Sequence, residues 1–166
     1  MPEQASFDIT TGCDLQEVDN AVNQANKELT QRYDFRNVVF TLTLERQKDL
    51  ISLAAPDDMK LAAIFDVLQQ KLAKRQVPLD NVKPKEKVVG AHGSVRQDYT
   101  LAQGIETEVA KKIVKFVKDA KLKKVQASVQ KDQVRVTSPS RDELQNAIAL
   151  IKREDFGISL NFGNFR

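Results

Sequence analysis

Two hydrophobic periodicities, 2 and 3.6 residues, alternate along this chain in the order strand, helix, strand, strand, helix, strand, and the same six elements then recur. That order describes the split βαβ unit, in which two helices cover one face of a four-stranded antiparallel sheet and leave the other face open. The expected fold is therefore α+β, with two tandem βαββαβ domains over residues 1–90 and 91–166 that meet at Gly90-Ala91-His92-Gly93. The short first strand could instead join the sheet of the other half, because local alternation does not say which sheet a strand enters.

The apolar spacing places each element. Ser6–Thr10 reads as a strand, and Asp14 as the N-cap of a helix whose inner stripe is Leu15, Val18, Val22, Ala25 and Leu29. Val38–Glu45 and Leu50–Ala54 alternate about a turn at Gln47-Lys48-Asp49, forming a hairpin. Pro56-Asp57-Asp58 then opens a helix with Leu61, Ile64, Phe65, Leu68 and Leu72 inward. Two prolines interrupt the pattern between Val77 and Pro84, so the fourth strand is expected in Lys85–Val89. In the second half, Val95–Ala102 is a strand and Ile105–Ala120 a helix. Val125–Gln130 and Val134–Val136 form a hairpin about Lys131-Asp132, Ser138-Pro139-Ser140 starts a helix, and Ile158, Leu160 and Phe162 mark a closing strand.

Charge divides unevenly between the halves. Residues 1–90 hold 12 Lys and Arg against 14 Asp and Glu, whereas residues 91–166 hold 14 against 9, an arrangement that suits an anionic partner in the second half. Catalysis has little to build on. The single cysteine, Cys13, and single histidine, His92, offer neither an intramolecular disulfide nor a zinc cluster. Gly90–Gly93 lacks the Gly-x-x-x-x-Gly-Lys-Ser/Thr phosphate loop and reads as a linker. No nucleophile and base stand together in a known motif, so the expectation is a protein that is no enzyme, with no cofactor and no metal. No apolar run approaches the roughly 20 residues of a membrane helix, and Met1–Thr10 does not resemble a signal peptide; a cytoplasmic location follows.

Several segments carry chemistry suited to a nucleotide. Lys111, Lys115 and Lys118 share a helix face that could follow an RNA backbone, or could simply be solvated. Arg135 is an outward residue on a central strand beside Gln126, Ser128 and Thr137; its guanidinium could grip phosphate or a guanine edge, or pair with a carboxylate across the sheet. In Arg32-Tyr33-Asp34-Phe35-Arg36 the two arginines could hold phosphate and Phe35 a base, or Arg32 and Asp34 could pair around a buried ring. At the terminus, Phe165 could dock and present Arg166, or the end could fray. Neither central hairpin carries the aromatic signature on which RNA-binding sheets stack bases. Stacking would have to come from an arginine plane or from Tyr99, Phe35, Phe162 or Phe165.

Ser6-Phe7-Asp8-Ile9, Asp14-Leu15-Gln16-Glu17-Val18, Arg32-Tyr33-Asp34-Phe35-Arg36, Gln103-Gly104-Ile105, Ala110-Lys111-Lys112-Ile113-Val114-Lys115, Val134-Arg135-Val136-Thr137, Ser140-Arg141-Asp142-Glu143-Leu144-Gln145 and Asn164-Phe165-Arg166 together resemble the bacterial YajQ family. The likeness runs through nearly the whole chain in order, and Val77–Gly93 departs from it most. It implies tandem ferredoxin-like, RRM-like domains in a cytosolic nucleotide-binding protein, with cyclic di-GMP associated with some members and tRNA or GTP with others. The resulting expectation is a guanine-nucleotide or cyclic di-GMP receptor. The alternatives are an RNA (tRNA) binder using the lysine helix and an adaptor that meets a regulatory protein through its open sheets.

Overall fold

The structure, a computed structural model, describes residues 4–166. Nine strands and four helices are formed by these residues: β1 (Ala5–Thr10), α1 (Leu15–Gln31), β2 (Thr41–Glu45), β3 (Leu50–Ala55), α2 (Asp58–Lys74), β4 (Val82–Pro84), β5 (Val88–Val89), β6 (Val95–Leu101), α3 (Thr107–Asp119), β7 (Gln126–Gln130), β8 (Gln133–Ser138), α4 (Arg141–Arg153) and β9 (Asn161–Gly163). They make two antiparallel sheets, ordered β7-β8-β1-β9 and β2-β3-β6-β4, with β5 also paired to β6. The architecture is α+β, of tandem split βαβ type. None of the described helices is long and apolar enough to cross a membrane.

The chain divides differently from the expected break at Gly90–Gly93. One compact unit is residues 13–102, and the other combines the segment up to Gly12 with residues 103–166. β1 and β6 have changed places: each fills the inner position that the first strand of a split βαβ unit normally takes, but in the sheet of the other half. Gly90–Gly93 is accordingly no interdomain linker. It is the tip of a hairpin between β5 and β6, closed by Gly90 N–H to Ser94 O at 2.8 Å and tightened by positive φ at His92 and Gly93.

Side chains explain the exchange. On the buried side of β1, Phe7 meets the rings of Phe162 and Phe165, each with its centroid 6.0 Å away. At the matching place on β6, the amide of Gln97 donates to Lys85 O at 2.9 Å and its oxygen accepts from the Tyr99 hydroxyl at 3.2 Å. Tyr99 in turn stacks on Phe65 of α2 with centroids 4.3 Å apart. A glutamine would leave the Phe7 site underfilled, while a phenylalanine could not satisfy the Lys85 carbonyl.

The helices follow their sequence signals. Asp14 caps α1 through Gln16 N–H, Asp57 caps α2 through Lys60 N–H, and Ser140 caps α4 through Glu143 N–H. The α1 stripe of Val18, Ala21, Val22, Ala25 and Leu29 and the α2 stripe of Leu61, Ile64, Val67, Leu68 and Leu72 close the core of the 13–102 unit. Ile113 and Val117 from α3 and Leu144, Ile148 and Ile151 from α4 cover Phe7, Ile9, Val134 and Val136 in the composite unit. Between Val77 and Gly93 the expected strand starts three residues early, at Val82, and is split in two. Pro84 can end β4 because it lies at the sheet's edge, where its missing N–H breaks no second ladder.

Because Phe7 is fully buried in the composite core, Phe7→Ala should lower the unfolding free energy by about 3–5 kcal/mol. Urea unfolding followed by circular dichroism measures this, and a loss below about 1 kcal/mol would mean that β1 does not anchor this core.

Candidate functional site

Each sheet has one face under its helices and one open face, and strand alternation decides what the open face carries. In the composite unit, Ser6 and Asp8 of β1, Arg135 and Thr137 of β8, and Gln126 and Ser128 of β7 share the open side through the register Ser6–Thr137, Asp8–Arg135 and Ser128–Arg135. This face is polar throughout. At its centre Arg135 donates from Nε to Asp8 Oδ1 at 2.9 Å and from a terminal nitrogen to Oδ2 at 3.4 Å, and Asn164 Nδ2 donates to the same Oδ2 at 2.6 Å. Asp8 is only 3% exposed. The Arg135 hydrogen bond holds its carboxyl below the usual carboxylate range against the opposing effect of burial, and Asn164 and the nearby charge of Arg166 add to the lowering.

The terminal residues are ordered against β1. Arg166 exchanges both backbone hydrogen bonds with Ser6, at 3.0 and 3.1 Å. Gly163 stands opposite Asp8 and Arg166 opposite Ser6, so three steps on one strand match two on the other. Asn164, at φ 52°, takes up the extra residue as a bulge, and this turns its amide toward Asp8. Phe165 packs on Phe7 yet stays 60% exposed.

The segment from Arg32 to Arg36 belongs to the 13–102 unit and is arranged around its ring. Arg32 makes a forked pair with Asp34 at 2.9 and 2.8 Å. Phe35 is 4% exposed, meets Phe40 edge-on at 5.3 Å, and has Arg32 and the Lys60 ammonium near its ring at 5.7 and 5.0 Å. Lys60 also donates to Asp34 O. Arg36 is exposed. Of the rings considered for stacking, Phe35 and Tyr99 are buried and Phe162 packs against Phe7, which leaves Phe165 as the exposed one. Lys111, Lys115 and Lys118 are exposed along α3. Lys115 also lines a cleft of about 550 Å³ with Lys112, Phe116, Asp119 and Phe156. Arg135, Phe165, Arg166 and the three lysines thus sit in the composite unit, and Arg32, Phe35 and Arg36 in the other. No group of three or more His, Cys, Asp or Glu able to hold a metal occurs among the described residues.

Two residues that sequence reasoning passed over are central to the faces: Asp8 and Asp98. Asp98 stands on β6 where Asp8 stands on β1, each on the inner strand and facing the open side, with Ser52 of β3 opposite Asp98 in the place that Arg135 takes opposite Asp8. The signal was present as an acidic residue in the middle of each strand, in Ser6-Phe7-Asp8-Ile9-Thr10 and Arg96-Gln97-Asp98-Tyr99-Thr100. Of the other motif residues, Gly104 has a clear packing role. A Cβ there would lie 2.8 Å from that of Asp132, whose carbonyl accepts from Ile105 N–H at 2.8 Å.

A carboxyl held below its ordinary pKa in the folded state contributes stability that is present above the unfolded value of about 3.9 and is lost as pH falls through the folded value. Asp8→Asn should therefore be clearly less stable than the parent at pH 7, and the gap should close below about pH 4. Urea midpoints of both proteins at pH 7 and pH 3 measure it; equal gaps at the two pH values would show that the Asp8 charge is not what matters.

Comparison with known proteins places these features in a lineage. Residues 5–166 match the family model described as nucleotide-binding protein YajQ-like. A protein of Koribacter versatilis named as a nucleotide-binding protein is 50% identical over 161 residues, covering 97% of this chain and 96% of its own length. Nucleotide-binding proteins of Trichlorobacter lovleyi and Desulfitobacterium hafniense are 48% and 45% identical; they are covered over 98% and 100% of their lengths and cover 97% and 100% of this chain. With matches that span both units and both exchanged strands, the chain belongs to the YajQ-like family of nucleotide-binding proteins.

Proposed function

We propose that this protein is a cytoplasmic nucleotide receptor that acts by binding and not by turnover, with guanine nucleotides, cyclic di-GMP among them, as its ligands. The observation that carries the reading is the pair of open sheet faces, each with an arginine beside a carboxylate on its inner strands. The names of the relatives support the same chemistry. On the composite face, Arg135 and Arg166 supply two guanidiniums near one carboxylate, leaving positive charge for a phosphate, and Phe165 offers an exposed ring at the edge. The unit boundaries leave the 13–102 unit with 13 cationic and 13 anionic side chains and the composite segments with 13 and 10, so the positive excess stays with the composite unit. Arg32, Phe35 and Arg36 are weaker contact candidates, since the first two are engaged with Asp34 and the core.

A second reading, RNA (tRNA) binding, draws on the exposed row of Lys111, Lys115 and Lys118. Titration of the purified protein with cyclic di-GMP, GTP, ATP and tRNA separates the two. A small nucleotide should bind and be recovered intact, and Arg166→Ala should weaken it by about 1.5–3 kcal/mol, the range for a charge-assisted hydrogen bond. Binding of tRNA alone, steeply weakened by salt and lost when the three lysines become Gln, would replace the nucleotide reading. Hydrolysis that follows the folded protein through purification would overturn the receptor reading.

A further inference from the structure

The open face of the 13–102 unit contains a carboxylate oxygen that accepts no hydrogen bond. Asp98 Oδ1 and Ser52 Oγ lie opposite each other on β6 and β3, both atoms are buried, and neither has a hydrogen-bond partner among the described residues. Ser52 is 7% exposed, while the Asp98 side chain is 23% exposed and so opens at one edge. Arg96, two residues before Asp98 on the same face, forms an ion pair with it, with Nε 3.5 Å from Oδ1, but no hydrogen bond. An orphaned buried polar atom costs about 1–3 kcal/mol and is rare in folded proteins. The composite unit shows how such a carboxylate is normally settled, since Asp8 in the matching position takes up both Arg135 and Asn164. Neither of those donors has a counterpart at Asp98: Ser52 stands in the arginine's place, and although the edge strand takes up one extra residue between Lys85 and Val88 as it does at Asn164, Glu86 stands where the asparagine does.

We infer that Asp98, with Ser52 and Arg96, is a receptor for the donor edge of a guanine base. This rests on the nucleotide reading above and assigns its guanine base a contact on this face. A carboxylate accepts two parallel hydrogen bonds, and guanine alone among the common bases presents two adjacent donors, N1–H and the N2 amino group, to receive it. Adenine places the N1 lone pair there, and cytosine places N3 beside its amino group, so each would set an acceptor against the carboxylate. The Ser52 hydroxyl is free to donate to O6 or to accept from the amino group. The exposed Arg96 guanidinium offers the planar surface on which the base can lie, a role no aromatic side chain fills on this face. Thr43 on β2 and Ala54 on β3 flank the pair with short side chains, which leaves room for a flat ligand.

Calorimetric titration with GMP, IMP, XMP and AMP tests the assignment, using the parent, Asp98→Asn and Ser52→Ala. The parent should prefer GMP over IMP, which lacks the amino group, and over AMP. Asp98→Asn should weaken GMP roughly 5- to 150-fold, the span for one bidentate base contact, and should strengthen XMP, because an amide accepts from N1–H and donates to the O2 that xanthine has in place of the amino group. Urea midpoints of Asp98→Asn and the parent, measured alongside, show whether lost binding reflects the site or the fold, because the change also breaks the Arg96 ion pair. Ser52→Ala should show a smaller loss of GMP in the same direction. If the parent binds all four equally, or if GMP is favoured but Asp98→Asn binds it unchanged, the inference is wrong while nucleotide binding stands. If none of the four binds and cyclic di-GMP and GTP do not either, the nucleotide reading itself falls.

Discussion

The seat of β1 between β8 and β9 is the constraint on which the composite unit depends. Ile9 lies opposite both Val134 and Phe162, and Asp8 opposite both Arg135 and Gly163, so a six-residue strand supplies the middle of a sheet whose other members come from the far end of the chain. The register cannot slip. A shift of one residue would turn Phe7 and Ile9 to the open face and drive Asp8 into the apolar core, away from Arg135 and Asn164. Apolar fit on one side and a charge-assisted network on the other therefore specify the same pairing, and the bulge at Asn164 brings its amide to Asp8 within it.

Much of this fold could be read from the order of residues. Capping aspartates and 3.6-residue stripes located α1 and α2, and alternation located the β7–β8 hairpin, because these signals are local and each decides one element. The exchange of β1 and β6 was not decided by such signals, since both strands alternate in the same way. What separates them is Phe7 against Gln97, and that difference has meaning only beside Phe162 and Phe165 in one sheet and Lys85 O in the other. The site divides along the same line. Arg135 was legible as an outward guanidinium on a central strand, but its partner lies 127 residues away. Phe35 and Tyr99 looked available for stacking because a ring's burial is not visible until the segments around it are packed.

Taking those rings into the cores has a consequence for recognition. An open face without aromatics gains little from stacking on side-chain rings, so what it discriminates must come from hydrogen-bond edges and from charge. Edge recognition is the more selective of the two: a stacked ring accepts any base, whereas a buried acceptor left unmatched penalises a ligand that cannot donate to it.

The two units thus offer an internal comparison of one carboxylate in two settings. On β1 the charge is compensated from within, by an arginine and an asparagine, and its contribution goes to stability. On β6 the same position lacks both donors and keeps only an ion pair with Arg96, with no hydrogen bond to Oδ1 from the described residues. Stability alone would favour replacing the second aspartate or placing an arginine at position 52, since either change removes an acceptor without a hydrogen bond. Buried polar atoms without a hydrogen bond are few in folded proteins, and a ligand's donor is one way of completing them. The unmatched carboxylate on β6, and not the better-bonded one on β1, is therefore where a ligand has most to add.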